Sequence, residues 1–209
     1  NSNIAIAQMW SGDGYYGGAI QKIDDVLSVL DGKNNIDDIY IHTLNAKASI
    51  AANHSDYRTA INIYSLSDSL SITSGNASVK TQIETKSGLS YLYLLNEEYH
   101  KAILSARQAE SYIFSLSQIN PDFDTVSHLC MMYCVQGYAY MKLNQFDDSE
   151  SVILKAYDLS SELSNEEILR DILYGLLALA YHQHIVSGDT NFDDKCIDLC
   201  NRCLDECNE

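Results

Sequence analysis

The chain has little of the turn chemistry that a β-rich fold requires. It contains one proline and ten glycines in 209 residues, and Val or Thr rarely alternates with polar residues as in a half-buried strand. It also lacks any apolar run approaching the roughly 20 residues that span a membrane as a helix. We therefore expect an all-α fold and no membrane insertion by this segment.

Positive charge is scarce as well. Thirteen Lys and Arg stand against 29 Asp and Glu, which gives a formal net charge of −16. Such a chain repels phosphate backbones and anionic membrane surfaces, because both are bound through basic side chains. We expect no direct nucleic-acid binding. The acidic surface either serves solubility alone or attracts a basic partner over a long range.

The usual catalytic signatures are missing from the sequence. The six histidines form no His-Glu-x-x-His motif, and there is no Gly-rich phosphate loop or Gly-x-Ser-x-Gly elbow. His182 and His184 are two residues apart, so on a helix they point in nearly opposite directions. We expect no enzymatic activity and no cofactor.

Cysteine is the one residue type whose spacing could carry chemistry. All six cysteines fall in pairs four residues apart, and two cysteines one helical turn apart rarely reach disulfide geometry. The last four form one stripe that extends about 16 Å along a helix, which is too far for one tetrahedral zinc ion. The pairs are Cys130/Cys134, Cys196/Cys200 and Cys203/Cys207.

We interpret the cysteines as small buried hydrophobic residues in the reduced state, which indicates a cytoplasmic protein. One alternative is a thiol-based metal or redox sensor built on the C-terminal stripe of Cys196, Cys200, Cys203 and Cys207. Another alternative concerns the compartment, namely a periplasmic sensor domain of a membrane-anchored protein.

Two residue patterns recur along the chain in a fixed order. In one, an aromatic residue opens a run of small or apolar residues at spacings of three and four, beginning at Tyr16, Tyr57, Tyr99 and Phe146, with a shifted copy at Phe192. In the other, a small residue is followed three positions later by a second residue, which is aromatic in four of the five copies. These pairs are Ala7–Trp10, Ala48–Ala51, Gly88–Tyr91, Gly137–Tyr140 and Ala178–Tyr181.

Spacings of three and four return residues to one face of a helix. A small residue there lets two helices approach closely, and we expect the aromatic residue to fill the wedge beside the contact. One hairpin of this kind cannot bury its apolar face alone, so neighbouring hairpins must stack. The patterns therefore predict a tandem array; the alternative is an ordinary helical bundle with alanines at its crossings.

The segment from Gly137 to Phe146, Gly-Tyr-Ala-Tyr-Met-Lys-Leu-Asn-Gln-Phe, resembles the tetratricopeptide repeat family. The resemblance implies a right-handed α-solenoid of about five helix–turn–helix repeats and about ten antiparallel helices. Trp10 is the only Trp and Pro121 the only Pro, and the period is long, with 41 residues from Tyr16 to Tyr57. This length is similar to that of long-helix variants in bacterial signalling proteins.

The sequence predicts a single domain over 1–209, with repeats near 3–31, 36–73, 77–118, 122–163 and 165–207. Acidic doublets such as Asp147-Asp148 and Glu166-Glu167 are expected to stabilise helix N-termini. Because the chain shows no initiator Met and no signal-peptide pattern, we expect a part of a longer protein. The predicted helices lie near 3–11, 15–31, 36–53, 56–73, 77–95, 98–118, 122–143, 146–163, 165–187 and 192–207.

In the proteins that the chain resembles, the first helix of each repeat lines a groove that receives a peptide, a helix or another domain. We therefore expect a protein or peptide partner, neutral or basic, and a regulatory or sensory role in a larger bacterial signalling or transcription-regulating protein. A homodimer through the C-terminal helix is a further possibility. The predicted groove residues are Asn45, Ser49, Asn53, Gln82, Leu89, Tyr93, Met131, Cys134, Tyr138, Met141, His182 and Gln183.

Overall fold

A computed structural model describes residues 2–12, 14–31, 37–163, 165–186 and 192–206 of the chain. Throughout these ranges the regular structure is helical, with ten α-helices and no strand. None of these helices combines the length and the apolar character needed to cross a membrane. The all-α prediction is confirmed.

The chain divides into two compact units, Asn1–Glu98 and Tyr99–Glu209, and each consists of antiparallel helices packed in sequence order. The first unit contains α1 Ser2–Gly12, α2 Tyr16–Asp31, α3 Asp38–Asn53, α4 Tyr57–Ser74 and α5 Val79–Leu95. The second contains α6 Tyr99–Ser117, α7 Thr125–Lys142, α8 Phe146–Leu159, α9 Glu166–Val186 and α10 Asp193–Glu206.

The predicted boundaries agree with the structure to within about three residues, with one exception. The eighth helix was expected to reach 163, but α8 ends at Leu159 and a single 3₁₀ turn, Ser160–Glu162, follows it. The seventh helix starts at Thr125 instead of 122, because the Asp124 carboxylate accepts the backbone N–H of Ser127 at 3.1 Å and caps the helix there.

Three helix ends share one turn. Ser55, Glu97 and Asn144 follow α3, α5 and α7 and adopt positive φ angles of 62°, 61° and 59°. After each of them, a backbone N–H reaches back to the carbonyl five residues earlier, as in Gln145 N to Tyr140 O at 2.9 Å. Closing a helix through a left-handed residue in this way satisfies the last carbonyls of the helix and ends it. The recurrence of the same turn agrees with a tandem array.

Small residues stand where helices cross, as predicted. A Cβ added to Gly88 would lie 2.5 Å from the Tyr64 ring, and one added to Gly137 would lie 2.5 Å from Cδ1 of Ile153. At the second crossing the Ser149 hydroxyl, itself fully buried, donates a hydrogen bond to the Gly137 carbonyl at 2.9 Å. Side chains of α8 therefore pack directly against the backbone of α7 at Gly137.

The aromatic residue is buried in one repeat and exposed in two. Tyr140 is 6% exposed, but Tyr91 is 54% exposed. Tyr64 of α4 already occupies the space over Gly88, so Tyr91 has no wedge to fill. In the last repeat the contact residue is Gly175, whose added Cβ would meet Ile153 at 2.7 Å. Tyr181 then turns outward.

Helix α7 is the centre of the second unit. It packs against α6, α8 and α9, and it is buried on almost every side from Leu129 to Tyr140. This explains its composition, because a helix surrounded by others must be apolar or small around its whole circumference. Its two ends and Met131 are the parts that reach the surface.

Candidate binding surfaces

In the first unit, two of the predicted groove residues are interior. The Asn45 side chain is 4% exposed, and its amide nitrogen donates to Thr85 Oγ1 at 2.9 Å and to the Thr81 carbonyl at 3.3 Å. Leu89 is part of a core cluster with Ala48 and Leu92. Both residues pack helices together and present nothing to a partner.

The other predicted residues of this unit lie nearer the surface. Asn53 is exposed, whereas Ser49, Gln82 and Tyr93 are half-buried. The Gln82 amide donates to the Ala77 carbonyl at 3.3 Å and so extends the cap of α5. The four residues are spread along α3 and α5, and as a partner surface they stay a prediction.

An ion pair links α3 and α5 on the same side of the unit. Nδ1 of His42 lies 2.9 Å from Oε2 of Glu84. The hydrogen bond to Glu84 raises the pKa of His42 above its ordinary value, although partial burial opposes the shift. The imidazolium form therefore strengthens the contact between the two helices.

In the second unit, the structure brings three predicted residues together around one apolar pocket. Tyr138 and Met141 come from the end of α7, and His182 comes from α9. The pocket has a volume of about 440 Å³. We call it the α7–α9 pocket, and its lining residues are Tyr138, Met141, Lys142, Phe146, Ala178, Tyr181, His182 and Ile185.

Two contacts hold this pocket in shape. The His182 ring stacks on the Phe146 ring with centroids 3.4 Å apart and planes 11° apart. The Tyr138 hydroxyl donates to the Asp171 carbonyl at 2.6 Å, which ties α7 to α9, and burial is the main reason that the Tyr138 pKa is raised. A pocket whose walls are fixed in this way loses little entropy when a ligand fills it.

A smaller cavity of about 180 Å³ adjoins the pocket and shares Phe146 and His182 with it. Gln183 lies there, and its amide nitrogen donates to Oε2 of Glu150 at 3.2 Å. Met131 lies elsewhere on α7 and is 37% exposed, while Cys134 is buried. Cys134 therefore belongs to the core and not to a binding surface.

The outer face of α9 carries a stripe of exposed apolar residues that the predicted groove did not include. These residues recur at helical spacings of three and four, and an exposed apolar patch of this kind commonly marks an interaction site. The spacing is visible in the sequence, but the predicted contact at Ala178–Tyr181 assigned Tyr181 to the packing face of the helix. The stripe consists of Tyr174, Leu177, Tyr181 and Ile185.

The α7–α9 pocket itself has one charged lining residue, Lys142, and carboxylates lie elsewhere on α8 and α9. Asp147 and Glu150 line the smaller cavity, and Glu167 and Asp171 stand one turn apart on α9. Burial, followed by repulsion from Glu167, raises the pKa of Asp171. A cation brought next to this pair would relieve the repulsion.

The described cysteines are free thiols, namely Cys130, Cys134, Cys196 and Cys200. Burial raises the pKa of Cys130 to about 12, and it also raises the pKa values of Cys134 and Cys196. The thiolate is the reactive and metal-binding form, so these shifts disfavour such chemistry at all three positions. The Cys203 side chain and Cys207 lie outside the described part of the chain.

Comparison with known proteins identifies the fold. No protein-family profile matches the chain. The chain is 27% identical over 161 residues to the regulatory protein RapK of Bacillus subtilis strain 168. That match covers 76% of this chain and 38% of RapK, so the chain spans well under half of its curated relative.

Solved structures with TPR-like repeats superpose on nearly the whole chain. BtubC (BKLC) from P. vanneervenii has a TM-score of 0.76 at 15% identity, and the match covers 98% of this chain and 80% of BtubC. A putative kinesin light chain of Podospora anserina with TPR-like repeats has a TM-score of 0.70 at 11% identity, covering 96% and 92%. The chain is therefore a tetratricopeptide-like α-solenoid in its fold, as its repeats predicted.

Proposed function

We propose that the chain is a binding scaffold without chemistry of its own and that a protein or peptide segment docks on the α7–α9 pocket. The observation that carries this proposal is the apolar pocket of about 440 Å³ beside the exposed stripe of α9. Aromatic side chains and methionine give a large and adaptable contact area, and they are enriched at protein interfaces.

The partner segment combines apolar residues with a basic residue. Its apolar side chains fill the pocket, and its basic group faces the carboxylates of Glu167 and Asp171. The net charge of −16 adds a long-range attraction for a basic segment, which speeds association most at low salt. An acidic segment would be repelled by the net charge at long range and by Glu167 and Asp171 at contact.

The scaffold serves as the regulatory or sensory part of a larger bacterial signalling protein. Support comes from the similarity to RapK, a regulatory protein, over 38% of its length, and from the long repeats. A cytoplasmic location is the one that the free thiols favour.

The test is a peptide selected by display against the whole chain, followed by calorimetric titration of two double variants. Tyr181→Ala with Ile185→Ser removes the pocket edge, at residues 70% and 66% exposed. Tyr91→Ala with Ile72→Ser is the matched control, at residues 54% and 72% exposed and distant in sequence. We expect the affinity for the peptide to fall about tenfold or more in the first double variant and to stay unchanged in the control. Equal affinities for both double variants would refute the proposed site.

The thiol-sensor alternative at Cys196, Cys200, Cys203 and Cys207 stays a hypothesis, and thiol titration of the native chain with and without chelator distinguishes it. Slow reaction of all six thiols with no bound metal supports the scaffold alone. Fast, metal-protected reaction at the C-terminal stripe supports the sensor.

Dimerisation through α10 also stays a prediction. Sedimentation analysis of Ile197→Glu, a change at an exposed residue of that helix, tests it.

A further inference from the structure

The exposed stripe of α9 continues the α7–α9 pocket along the helix. Tyr174, Leu177, Tyr181 and Ile185 follow one another at intervals of three, four and four residues, and each is at least 43% exposed. Eleven residues separate the two ends of the stripe, which is about 16 Å along the helix axis. Because Tyr181 and Ile185 also line the pocket, pocket and stripe form one continuous apolar surface, which we call the α9 track.

The α9 track has few groups that could pair with a peptide backbone. Among the residues that the structure describes there, none is Asn or Gln, whose amides match a peptide group with both a donor and an acceptor. Gln183 lies in the adjoining smaller cavity. The polar groups of the track are tyrosine hydroxyls, the His182 ring and the Lys142 ammonium, and the Tyr138 hydroxyl already donates to the Asp171 carbonyl at 2.6 Å.

An extended segment and a helix would therefore bind this track at different cost. Extended peptides are commonly held by main-chain hydrogen bonds to the edge of a sheet, and the described residues contain no strand. On an apolar surface the backbone N–H and C=O groups of an extended segment lose water without gaining a partner, which is costly. A helix keeps its backbone hydrogen bonds within itself. The track consequently favours a helix.

The spacing of the track also matches a helix. Apolar residues three and four positions apart on one helix fit between those of another, and an amphipathic helix binds a groove through anchors at such spacings. The fold already uses contacts between first helices, since α3 packs against α5 and α7 against α9. The pocket volume of about 440 Å³ lies in the range of pockets that bury a drug-sized molecule. It has room for apolar side chains from two successive helical turns.

Charge distinguishes a helix of another protein from a second copy of this chain. Two copies would each bring a net charge of −16 and would repel one another. On the exposed face of α9, the stripe is preceded by Glu167, Arg170 and Asp171, which are two acids and one base. A basic residue at that end of the bound helix is therefore complementary to the surface.

We propose that the α9 track receives an amphipathic helix of another protein, with apolar residues at intervals of three and four on the face towards α9. A basic residue of this helix lies at the end near Glu167 and Asp171. The helix covers Tyr174 and Leu177 as well as the pocket. This inference rests on the proposed docking at the α7–α9 pocket and specifies the conformation of the segment that docks there.

Two peptide display libraries, selected against the whole chain, test the conformation. Both contain peptides of about 16 residues, long enough to cover the stripe as a helix, and both have the same composition. One library places its apolar residues at intervals of three and four, and the other alternates apolar with polar residues. We expect calorimetric titration to show tighter binding by peptides from the first library than by those from the second.

Proline substitution in the best peptide of the first library tests the helix itself. Proline at its central residue should lower the affinity about a hundredfold, because proline is strongly disfavoured inside a helix. Proline at the first turn of the same peptide is the matched control and should change little, since that position tolerates it. Equal affinities of the two proline peptides would overturn the helical conformation.

Variants of α9 test the extent of the contact. Tyr174→Ala and Leu177→Ala should each weaken binding of that peptide about tenfold, because the helix reaches beyond the pocket. Leu104→Ala, at an exposed leucine of α6, is the control and should leave the affinity unchanged. Loss of binding at Tyr181→Ala with Ile185→Ser but at neither Tyr174→Ala nor Leu177→Ala would overturn the proposed helix along the stripe.

The two libraries also separate this inference from the proposed docking site. A peptide of the alternating library that binds as tightly, and is lost in the Tyr181→Ala with Ile185→Ser variant, would overturn the helix and keep the pocket. Failure of both libraries to yield a peptide sensitive to that variant would overturn the docking site together with the helix.

Discussion

At the scale of single residues, the hairpins depend on positions where no side chain fits. Gly137 faces Ile153 so closely that a Cβ would lie 2.5 Å from its Cδ1 atom, whereas nothing lies within 4 Å of a Cβ at Gly17. Both residues are glycines in helices, so their substitution separates helix propensity from packing. The first position is fixed by tertiary contact and the second is not.

Gly137→Leu should destabilise the protein by about 1–3 kcal/mol, because the added side chain forces α7 away from α8. Gly17→Leu is the matched control and should be neutral or slightly stabilising, since leucine favours the helix over glycine. Denaturant unfolding monitored by circular dichroism measures both. Equal stability of the two variants would show that the close contact is misassigned.

The shared turn gives a second residue-scale prediction. Glu97 adopts a left-handed conformation that costs a non-glycine residue roughly 1–2 kcal/mol, so Glu97→Gly should raise the melting temperature. Asn144 has nearly the same φ, but asparagine tolerates it better, and Asn144→Gly should have a smaller effect. Differential scanning calorimetry compares them; a larger gain at Asn144 would contradict the explanation.

At the scale of elements, two polar links between first helices of successive repeats lie where a groove was expected, one of them buried and the other half-buried. The pairing of Asn45 with Thr85 and that of His42 with Glu84 join α3 to α5. Helix periodicity could predict which residues share a face, but it could not show that a neighbouring first helix covers that face. Asn45 and Leu89 were therefore assigned to the surface, although they are interior.

The His42 contact makes stability depend on pH in a defined direction. The folded pKa of His42 is raised above the ordinary 6.5 by Glu84. The stabilisation from the His42–Glu84 contact is therefore fully present below the ordinary pKa. It is lost as the pH rises through the folded pKa. Urea midpoints measured from pH 6 to pH 9 should fall in the wild type and fall less in His42→Gln. The exposed His100→Gln should retain the wild-type slope; an identical slope in all three proteins would contradict this role.

At the scale of the whole molecule, much of the architecture was predictable and part of the candidate surface was not. Ten helices, their order and the small residues at their crossings follow from local periodicity and turn residues. In the last repeat the small residue at the helix contact is Gly175 and not Ala178, because Gly175 meets Ile153. Such a contact belongs to tertiary packing and is not encoded in local periodicity. The exposed face of α9 was misplaced for this reason, whereas Tyr138, Met141 and His182 were placed in one region.

The sequence prediction of one domain over residues 1–209 stays a prediction. Tandem repeats unfold together when each couples to its neighbours, so we expect one urea transition with the same midpoint by tyrosine fluorescence and by circular dichroism. Two separated transitions would indicate that Asn1–Glu98 and Tyr99–Glu209 are independent domains.

Hydrogen–deuterium exchange of the whole chain, with and without the display-selected peptide, tests the central claim most directly. Docking on the α7–α9 pocket should slow exchange at the C-terminal turns of α7 and along α9, and it should leave α4 unchanged. Protection confined to α2, α4 or α6, with none on α9, would contradict the claim that this pocket receives the partner.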